Sequence, residues 1–342
     1  MALPRSAGPD PLIFAVAAFQ VLFGLVIASI LASQLWLMDA TRNLRAATDL
    51  LGGRFGTDPV YLYSPLAAAL TVPATVVPAV LAGAAWLALR IGVVAAGVRR
   101  VTLGRPPLER VLILAGVLGF VPVVVDLMLG NVSILLAAAV AVVAWSPDRG
   151  RSGVLLGLAL ATVPKPALIP ILIWMVVYRR RSFLAAVATA GILTAVAVVV
   201  LGFGPYQAWF DALRHPLYLG GTGAGNLSLA GLLPDVLSIP LQVVSVVAAL
   251  VAVKRGETPG FVGAIAVGLL VAPYTMAYGA VFLLLAALPL RGIVRPLPAA
   301  IVAIAAPVLV VLFLPVLAGA TLAAATVRRP ADWPRLALED RS

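Results

Sequence analysis

The sequence predicts an all-α polytopic membrane protein. Of its 342 residues, 63% are hydrophobic and only 11% are charged, whereas a soluble domain carries about 25% charged residues. The apolar runs recur along the whole chain. They do not alternate between apolar and polar residues, as the strands of a membrane barrel do. We therefore expect a single integral membrane domain that covers residues 1–342.

Charge and cysteine content exclude other classes of protein. The net charge is +11, but the basic residues lie in short loops between apolar runs, where they set membrane orientation, so nucleic acid is not expected as a partner. The chain has no cysteine, which excludes disulfides and thiolate metal sites. The first apolar run is long and lacks a small-residue cleavage pattern, so we expect a retained helix and not a signal peptide.

The alternation of apolar and polar stretches divides the domain into segments. In chain order we expect a first span (13–38), an outer loop that carries catalysis (39–63), central spans (64–201), a second outer loop (202–235), C-terminal spans (236–322) and a polar tail (323–342). The two outer loops are the longest polar stretches between spans. Long loops on one face usually carry function.

Basic clusters set the expected orientation and the number of spans. Placing them in the cytoplasm requires about eleven membrane segments, within a range of about 10–12. It leaves both long loops and a short turn, Asp126–Asn131, on the outer side. We therefore expect a multi-pass protein of the plasma membrane with its active site on the extracytoplasmic side. The clusters are Arg99, Arg100, Arg105 and Arg110; Arg149 and Arg151; Arg179, Arg180 and Arg181; Lys254 and Arg255; and Arg291 and Arg295.

A proline-rich stretch interrupts the central spans around Pro164–Pro166. A single helix here would move the later basic clusters to the outer side, whereas two short half-spans keep them inside. Non-helical backbone at membrane depth is tolerated only against protein or a water-filled cavity. We therefore expect broken, short helices and place Lys165 at a turn that lines a cavity open to the outer side.

Asp39 is the first candidate for chemistry, because it stands where the first apolar run ends. Arg42 and Arg45 follow closely. A carboxylate at the lipid–water boundary can act as a general base toward a sugar hydroxyl. The alternative is an ordinary interfacial ion pair with Arg42 or Arg45.

Lys165 is the second candidate, because an ionisable residue deep within apolar sequence is costly and is a functional candidate by default. Its ammonium could neutralise a departing lipid phosphate. The alternative is a lysine at a broken helix end whose ammonium extends toward water.

The second outer loop interleaves aromatic and polar residues, a pattern that suits carbohydrate but also marks membrane interfaces. It includes His215, the only histidine. Without a second histidine or a cysteine, His215 cannot form a strong metal site.

The order of five short elements resembles glycosyltransferase family 87, the polyprenyl-phosphate-mannose-dependent α-mannosyltransferases of the GT-C class. The elements are Asp39 at the end of the first helix, Tyr61-Leu62-Tyr63-Ser64-Pro65-Leu66, Gly130-Asn131-Val132-Ser133, Lys165-Pro166, and Gly225-Asn226-Leu227-Ser228-Leu229. Ser64 replaces a family proline, and Asn131 and Leu227 replace glutamines. The clearest departure follows Pro273, where many members carry aspartate or histidine and this chain has Ala277, Tyr278 and Gly279.

The resemblance implies a GT-C-like fold and an inverting transfer of a hexose, mannose in the family, from a polyprenyl-phosphate-sugar donor to a glycolipid or glycan acceptor. It gives Asp39 the role of catalytic base and implies neither a metal ion nor another cofactor. The implied donor-phosphate contacts are Lys165, Arg42 and Arg45, and the implied sugar or acceptor contacts are Asn131, Asn226, Ser228, Tyr63 and His215.

Two other functions stay open. One is a lipid or sugar carrier or a flippase, although transporters usually show internal repeats and midplane polar groups in both halves, which this sequence lacks. The other is a catalytically degenerate family member, because the polar residues after Pro273 are missing.

Overall fold

The computed structural model describes residues 10–32, 36–56, 58, 61–214, 226–290 and 318–326. All regular structure in these ranges is helical, which confirms the predicted all-α class. The α-helices are α1 (Pro11–Ala32), α2 (Met38–Leu51), α3 (Pro65–Thr71), α4 (Ala79–Val101), α5 (Pro107–Gly119), α6 (Val121–Leu129), α7 (Ser133–Trp145), α8 (Arg149–Thr162), α9 (Ile169–Tyr178), α10 (Arg180–Leu201), α11 (Gly204–Leu213), α12 (Leu229–Leu232), α13 (Asp235–Arg255), α14 (Glu257–Val271), α15 (Leu283–Leu290) and a segment at 318–326. Short 3-10 helices occupy Val72–Val76, Pro166–Leu168 and Ala277–Phe282.

Four helices, α1, α4, α10 and α13, are long and apolar enough to cross a membrane. Only 11–22% of their most apolar stretches is buried within the protein. Many large apolar side chains on these helices are exposed; Val80 and Val199, at 81% and 84%, are the most exposed examples. Such extensive apolar faces are compatible with hydrocarbon and not with water, so these helices form the lipid-facing shell.

The prediction of about eleven membrane segments is not confirmed. The described ranges contain four candidate spans, or five if α5 and α6, which meet at an angle of 63°, form one broken span. Helices α7, α8, α9 and α14 have 10–15 residues each, and a helix needs about 20 residues to cross the hydrocarbon core. Residues 291–317 and 327–342, which include part of the predicted C-terminal spans and tail, lie outside the described ranges.

The boundaries of the first outer loop differ from the prediction. Helix α1 ends at Ala32, before the predicted end of the first span at Met38, and residues 33–35 lie outside the described ranges. The predicted loop 39–63 contains most of helix α2. This helix is amphipathic, with Ala46 and Ala47 buried on one face and charged residues on another, as expected for a helix at the membrane surface.

Two of the short helices, α7 and α14, form the core of the bundle. Helix α14 is buried on every side from Thr258 to Leu270, so it occupies the centre. Around it, helices approach closely through small residues. The Cα atoms of Gly153 and Gly157 in α8 face the backbone of α10, where a methyl group would lie only 2.3 and 2.5 Å from the carbonyl oxygens of Ser182 and Ala186. This close contact is the usual packing of membrane helices through small residues.

The helical break predicted around Pro164–Pro166 is present. Helix α8 ends at Thr162, residues 163–165 are not helical, and a 3-10 turn at Pro166–Leu168 leads into α9. With its 14 residues, α8 is about 21 Å long at about 1.5 Å per residue. The turn with Lys165 therefore reaches only part of the way across a hydrocarbon core of about 30 Å.

At the end of the bundle away from the Lys165 turn, an ion pair joins the end of α9 to the start of α14. Arg179, between α9 and α10, lies 2.6 Å from Glu257 at the start of α14 and donates to the carbonyl of Ala144 in α7 at 2.9 Å. Trp174 donates to the carbonyl of Glu257 at 2.8 Å. The basic clusters at 149–151, 179–181 and 254–255 adjoin this end, and the Lys165 turn lies at the other end of α8.

Candidate active site

Asp39 lies in the first turn of α2. Leu37, just before α2, adopts a left-handed backbone conformation with φ 52°, which is uncommon for a residue with a bulky side chain. Its N–H donates to the carbonyl of Met128 in α6 at 2.7 Å. This bond fixes the start of α2 against α6 and thereby fixes the position of Asp39. The positive end of the helix dipole favours a carboxylate in this first turn.

The turn between α6 and α7 lies directly against the start of α2. Gly130 closes α6 with φ 76°, a conformation that glycine adopts without strain. A Cβ at this position would lie 2.8 Å from the Cβ of Ala40 and 3.0 Å from its backbone nitrogen. Glycine therefore serves both the turn and the close approach, which brings the next residue, Asn131, to Asp39.

The side-chain amide of Asn131 connects the two candidate residues. Its Nδ2 donates to Asp39 Oδ2 at 2.6 Å and to the hydroxyl of Tyr63 at 3.1 Å. Its Oδ1 accepts from Lys165 Nζ at 3.2 Å and from Ser133 Oγ at 2.9 Å. Asn131 is only 3% exposed. One buried amide thus holds a carboxylate at one end and an ammonium group at the other.

Lys165 reaches this amide from the broken-helix turn. Its Nζ also donates to Ser133 Oγ at 2.7 Å and lies 4.9 Å from the centre of the Tyr278 ring. The face of an aromatic ring attracts a cation at this distance. The ammonium group therefore has a defined position in which it faces the same amide as Asp39.

Tyr63 approaches the cluster from the segment that precedes α3. Ser64 fixes this segment, because its N–H and hydroxyl donate to the carbonyls of Thr162 and Ala161 at 2.9 and 2.6 Å, at the end of α8. Burial, reinforced by the charge of Asp39, raises the pKa of the Tyr63 hydroxyl well above its ordinary value. The group is thus a neutral phenol that can both donate and accept a hydrogen bond.

The two arginines of α2 differ in position. Arg42 lies 3.7 Å from Asp39, and the side chains of Arg42 and Asp39 are 33% and 14% exposed, so this ion pair lies at the edge of the cluster. Arg45 is exposed. It follows Asp39 by six residues on a helix with about 3.6 residues per turn, which places it on a different face. The structure brings Arg42 to Asp39 and leaves Arg45 on the outer surface of α2.

Beneath the Asn131 turn lies a fully buried ion pair that sequence reasoning missed. Arg90 of α4 and Asp126 of α6 are both 0% exposed, and their charged groups lie 3.6 Å apart. Asp126 was expected in an outer turn, Asp126–Asn131. Its place in a turn is wrong, because α6 continues to Leu129 and Asp126 is a buried residue of this helix. Arg90 carried the same signal as Lys165, a single charge inside a long apolar run.

The remaining predicted contacts belong to a second turn or lie outside the described ranges. Asn226 donates to the carbonyl of Pro273 at 3.0 Å and accepts from the N–H of Thr275 at 3.0 Å. Ser228 accepts from the N–H of Gly231 at 3.3 Å and begins α12. These bonds join residues 226–228 to the segment that leads to Tyr278. His215 lies outside the described ranges. Roles in sugar binding for these residues stay predictions.

The match to a family model covers most of this site. The model of glycosyltransferase family 87 matches residues 61–277, which is more than half of the chain. The chain belongs to glycosyltransferase family 87. No curated protein and no solved structure matches it.

Membership identifies the protein as a membrane glycosyltransferase. Within this family 87 glycosyltransferase, the matched region contains four residues of the site: Tyr63, Arg90, Asn131 and Lys165. Asp39 precedes this region and Tyr278 follows it. The geometry is what connects Asp39 to the matched region, through the amide of Asn131.

Proposed function

We propose that this enzyme transfers a hexose, mannose in the first instance, from a polyprenyl-phosphate-sugar donor to a hydroxyl group of a glycolipid or glycan acceptor, with inversion at the anomeric carbon. The observation that carries the proposal is the Asn131 amide, which places the Asp39 carboxylate and the Lys165 ammonium on opposite ends of one buried group. A base for the acceptor and a cation for the leaving group are the two groups that this displacement requires.

The proposed reaction is a single displacement. Asp39 accepts the proton of the acceptor hydroxyl, and the acceptor oxygen forms a bond to the anomeric carbon of the donor. The bond between the anomeric carbon and the phosphate oxygen breaks, and its electron pair leaves with the lipid phosphate. The attacking oxygen approaches from the face opposite the phosphate, so the configuration at the anomeric carbon inverts.

Charge on the leaving phosphate grows as its bond to the sugar breaks. A fixed cation next to that oxygen stabilises the transition state more than the ground state. Lys165 provides this cation. Arg42, beside Asp39, is a second cation for the phosphate. Arg45 can contact the phosphate if the donor extends along α2. Asn131 and Tyr63 are the proposed sugar contacts nearest to Asp39, and Asn226, Ser228 and His215 complete the proposed set. That no metal or other cofactor takes part stays a prediction.

The membrane setting supports a lipid-linked donor. The apolar faces of α1, α4, α10 and α13 suit contact with membrane lipids, and a polyprenyl chain dissolved in the same bilayer would approach the site past these helices. The basic clusters at the Arg179 end of the bundle prefer the cytoplasm. The Lys165 turn at the other end of α8 is then proposed to open toward the extracytoplasmic side of the plasma membrane.

Reconstituted vesicles test this function. Purified protein is mixed with polyprenyl-phosphate-mannose, or the glucose equivalent, and an extract of membrane glycolipids, and the products are identified by mass spectrometry and by the anomeric configuration of the new bond. A new glycosidic bond of inverted configuration is expected. The Lys165→Met variant should form this product about 100-fold more slowly, in the range seen when one transition-state contact is removed.

Two other outcomes contradict the proposal. Movement of the lipid-linked sugar across the vesicle membrane without a new glycosidic bond would make the protein a carrier. The absence of product with every polyprenyl-phosphate sugar and acceptor extract, from correctly folded protein, would make it a degenerate family member.

A further inference from the structure

The buried pair of Arg90 and Asp126 has no place in the proposed chemistry, yet it contains two charges at membrane depth. Arg90 lies in the middle of the 23-residue helix α4, and both side chains are fully buried. Charges inside a membrane domain are costly and are kept where they serve a function. Replacing a buried ion pair by apolar side chains often leaves stability unchanged or raises it, so stability alone is a weak reason for the pair.

Arg90 binds the backbone on the α6 side of the Asn131 turn. Its Nη1 donates to the carbonyl oxygen of Asp126 at 2.7 Å and lies 3.4 Å from the carbonyl oxygen of Asn131. Its Nη2 donates to the carbonyl oxygen of Leu127 at 3.0 Å. The last carbonyls of a helix lack partners within that helix and attract cations. The planar guanidinium of arginine can serve several of them at once.

Asp126 binds the other side of the same turn. Its Oδ2 accepts from the N–H of Ser133 at 3.0 Å, at the start of α7. Ser133 in turn donates from its hydroxyl to Asn131 and accepts from Lys165. The pair therefore contacts the end of α6, the start of α7 and the backbone of Asn131 itself, whereas it does not border the open edge of the site near Arg42.

We infer that Arg90 and Asp126 are positioning residues that hold the Gly130–Asn131 turn so that the Asn131 amide lies between Asp39 and Lys165. This inference rests on the proposed function, since it assigns the pair a task in the same reaction. The structure offers a comparison inside the chain, at the end of the bundle remote from the Asn131 turn. There Arg179 is buried, bonds to a backbone carbonyl and forms an ion pair with Glu257, whose side chain is 34% exposed.

The first test uses the Arg90→Met/Asp126→Leu variant, which removes both charges together and leaves neither one unpaired. Per folded molecule, its kcat should fall about 10-fold to 100-fold, since a small misplacement of a catalytic group has an effect of this size. The Arg90→Lys variant keeps the charge and should lose part of the kcat that the double variant loses, because an ammonium group cannot bind the same set of carbonyl oxygens. The Arg179→Met variant should keep the wild-type kcat per folded molecule.

A double-mutant cycle separates positioning from a general loss of stability. Asn131→Ala is introduced into the wild type, into Arg90→Met/Asp126→Leu and into Arg179→Met. If the pair acts through Asn131, the alanine substitution should have little further effect on kcat once the pair is gone, whereas its full effect should persist beside Arg179→Met. Full and multiplicative effects in both backgrounds would overturn the inference, as would a wild-type kcat in Arg90→Met/Asp126→Leu.

A measurement that needs no catalysis distinguishes failure of this inference from failure of the proposed function. The chain has no cysteine, so Asp39→Cys/Asn131→Cys creates a single thiol pair across the site. A short thiol-to-thiol crosslinker should join this pair several-fold faster with Arg90 and Asp126 present than in the Arg90→Met/Asp126→Leu background. Equal rates would overturn the inference even if the enzyme transfers sugar as proposed. A pair-dependent rate in a protein that forms no product would support positioning and would overturn the proposed function alone.

Discussion

The two Asn-x-Ser turns of this enzyme have the same local structure and different surroundings. In each turn the Asn Oδ1 accepts from the N–H of the serine two residues later, at 3.1 Å for both Asn131 and Asn226. This is the local turn that asparagine favours, and each serine begins a helix. The Nδ2 of Asn131 donates to two side chains, those of Asp39 and Tyr63, whereas the Nδ2 of Asn226 donates to a backbone carbonyl. The sequence motif determines the turn, and its neighbours in the fold determine whether the turn positions chemistry or joins chain segments.

Among changes to the two turns and the residue that connects them, the largest effect should come from Asn131→Ala. This change removes the amide between Asp39 and Lys165, so kcat should fall about 100-fold. The stability of the folded state should fall less than kcat does, because the N–H of Ser133 keeps its bond to Asp126. Steady-state transfer rates, normalised to folded protein by size-exclusion chromatography, measure this effect. A loss of transfer that matches the loss of folded protein would contradict the assignment.

Gly130→Ala should have the next largest effect, because it displaces the turn without altering any polar group. A methyl group there meets Ala40, directly after Asp39, and the left-handed backbone is strained for alanine. We expect kcat about 10-fold lower together with a lower melting temperature. Gly97→Ala in α4 is the matched control, since a methyl group at Gly97 meets no atom within 4 Å. It should leave transfer unchanged, and equal losses in both variants would argue against a specific contact with α2.

Asn226→Ala should act mainly on stability. It leaves the buried N–H groups of Thr275 and Ser228 without this acceptor, at an expected cost of about 1–3 kcal/mol. Thermal unfolding should show the loss, and kcat per folded molecule should change only slightly. A specific rise in KM for the sugar donor at unchanged stability would instead establish Asn226 as a sugar contact.

Tyr278 connects the two turns and should show the smallest effect. It follows the segment that Asn226 holds, and its ring lies over the ammonium group of Lys165, which bonds to Asn131. Removing the ring in Tyr278→Leu should lower donor affinity by a free energy of about 0.5–2 kcal/mol, the range of cation–π interactions. Tyr278→Phe keeps the ring and should retain most of that affinity. Equal affinity for the lipid-phosphate donor in the wild type, Tyr278→Leu and Tyr278→Phe would exclude a role for the ring.

The sequence was sufficient to predict part of this architecture. The apolar composition predicts the helical membrane class, and the prolines around Lys165 predict the break between α8 and α9. Both follow from local chemistry, since proline lacks an N–H and water cannot solvate backbone inside the bilayer. Reasoning from single residues singled out Asp39 and Lys165, and the family resemblance added Asn131. A contact such as Asn131–Asp39, between residues 92 positions apart, becomes visible only in the fold.

Other features depended on tertiary packing. Asp126 follows an apolar run and precedes Gly130 and Asn131, a pattern typical of a polar loop, but α6 continues to Leu129 and Asp126 is buried against Arg90. The prediction of about eleven spans counted α7, α8, α9 and α14, which are apolar but shorter than the thickness of the hydrocarbon core. Neighbouring helices bury most apolar side chains of α7 and α14, so in these two helices apolar sequence indicates a protein core.

The most direct test of the account is the rate of sugar transfer by Asp39→Asn in reconstituted vesicles that contain the lipid-phosphate-sugar donor. Asparagine keeps the shape of the side chain and cannot accept the proton. The matched control is Asp49→Asn, which removes a carboxylate paired with Arg54 at 3.9 Å on the same helix. We predict a loss of about 100-fold to 10,000-fold, the range for a general base, in Asp39→Asn and wild-type transfer in Asp49→Asn. Wild-type transfer by folded Asp39→Asn would contradict the account.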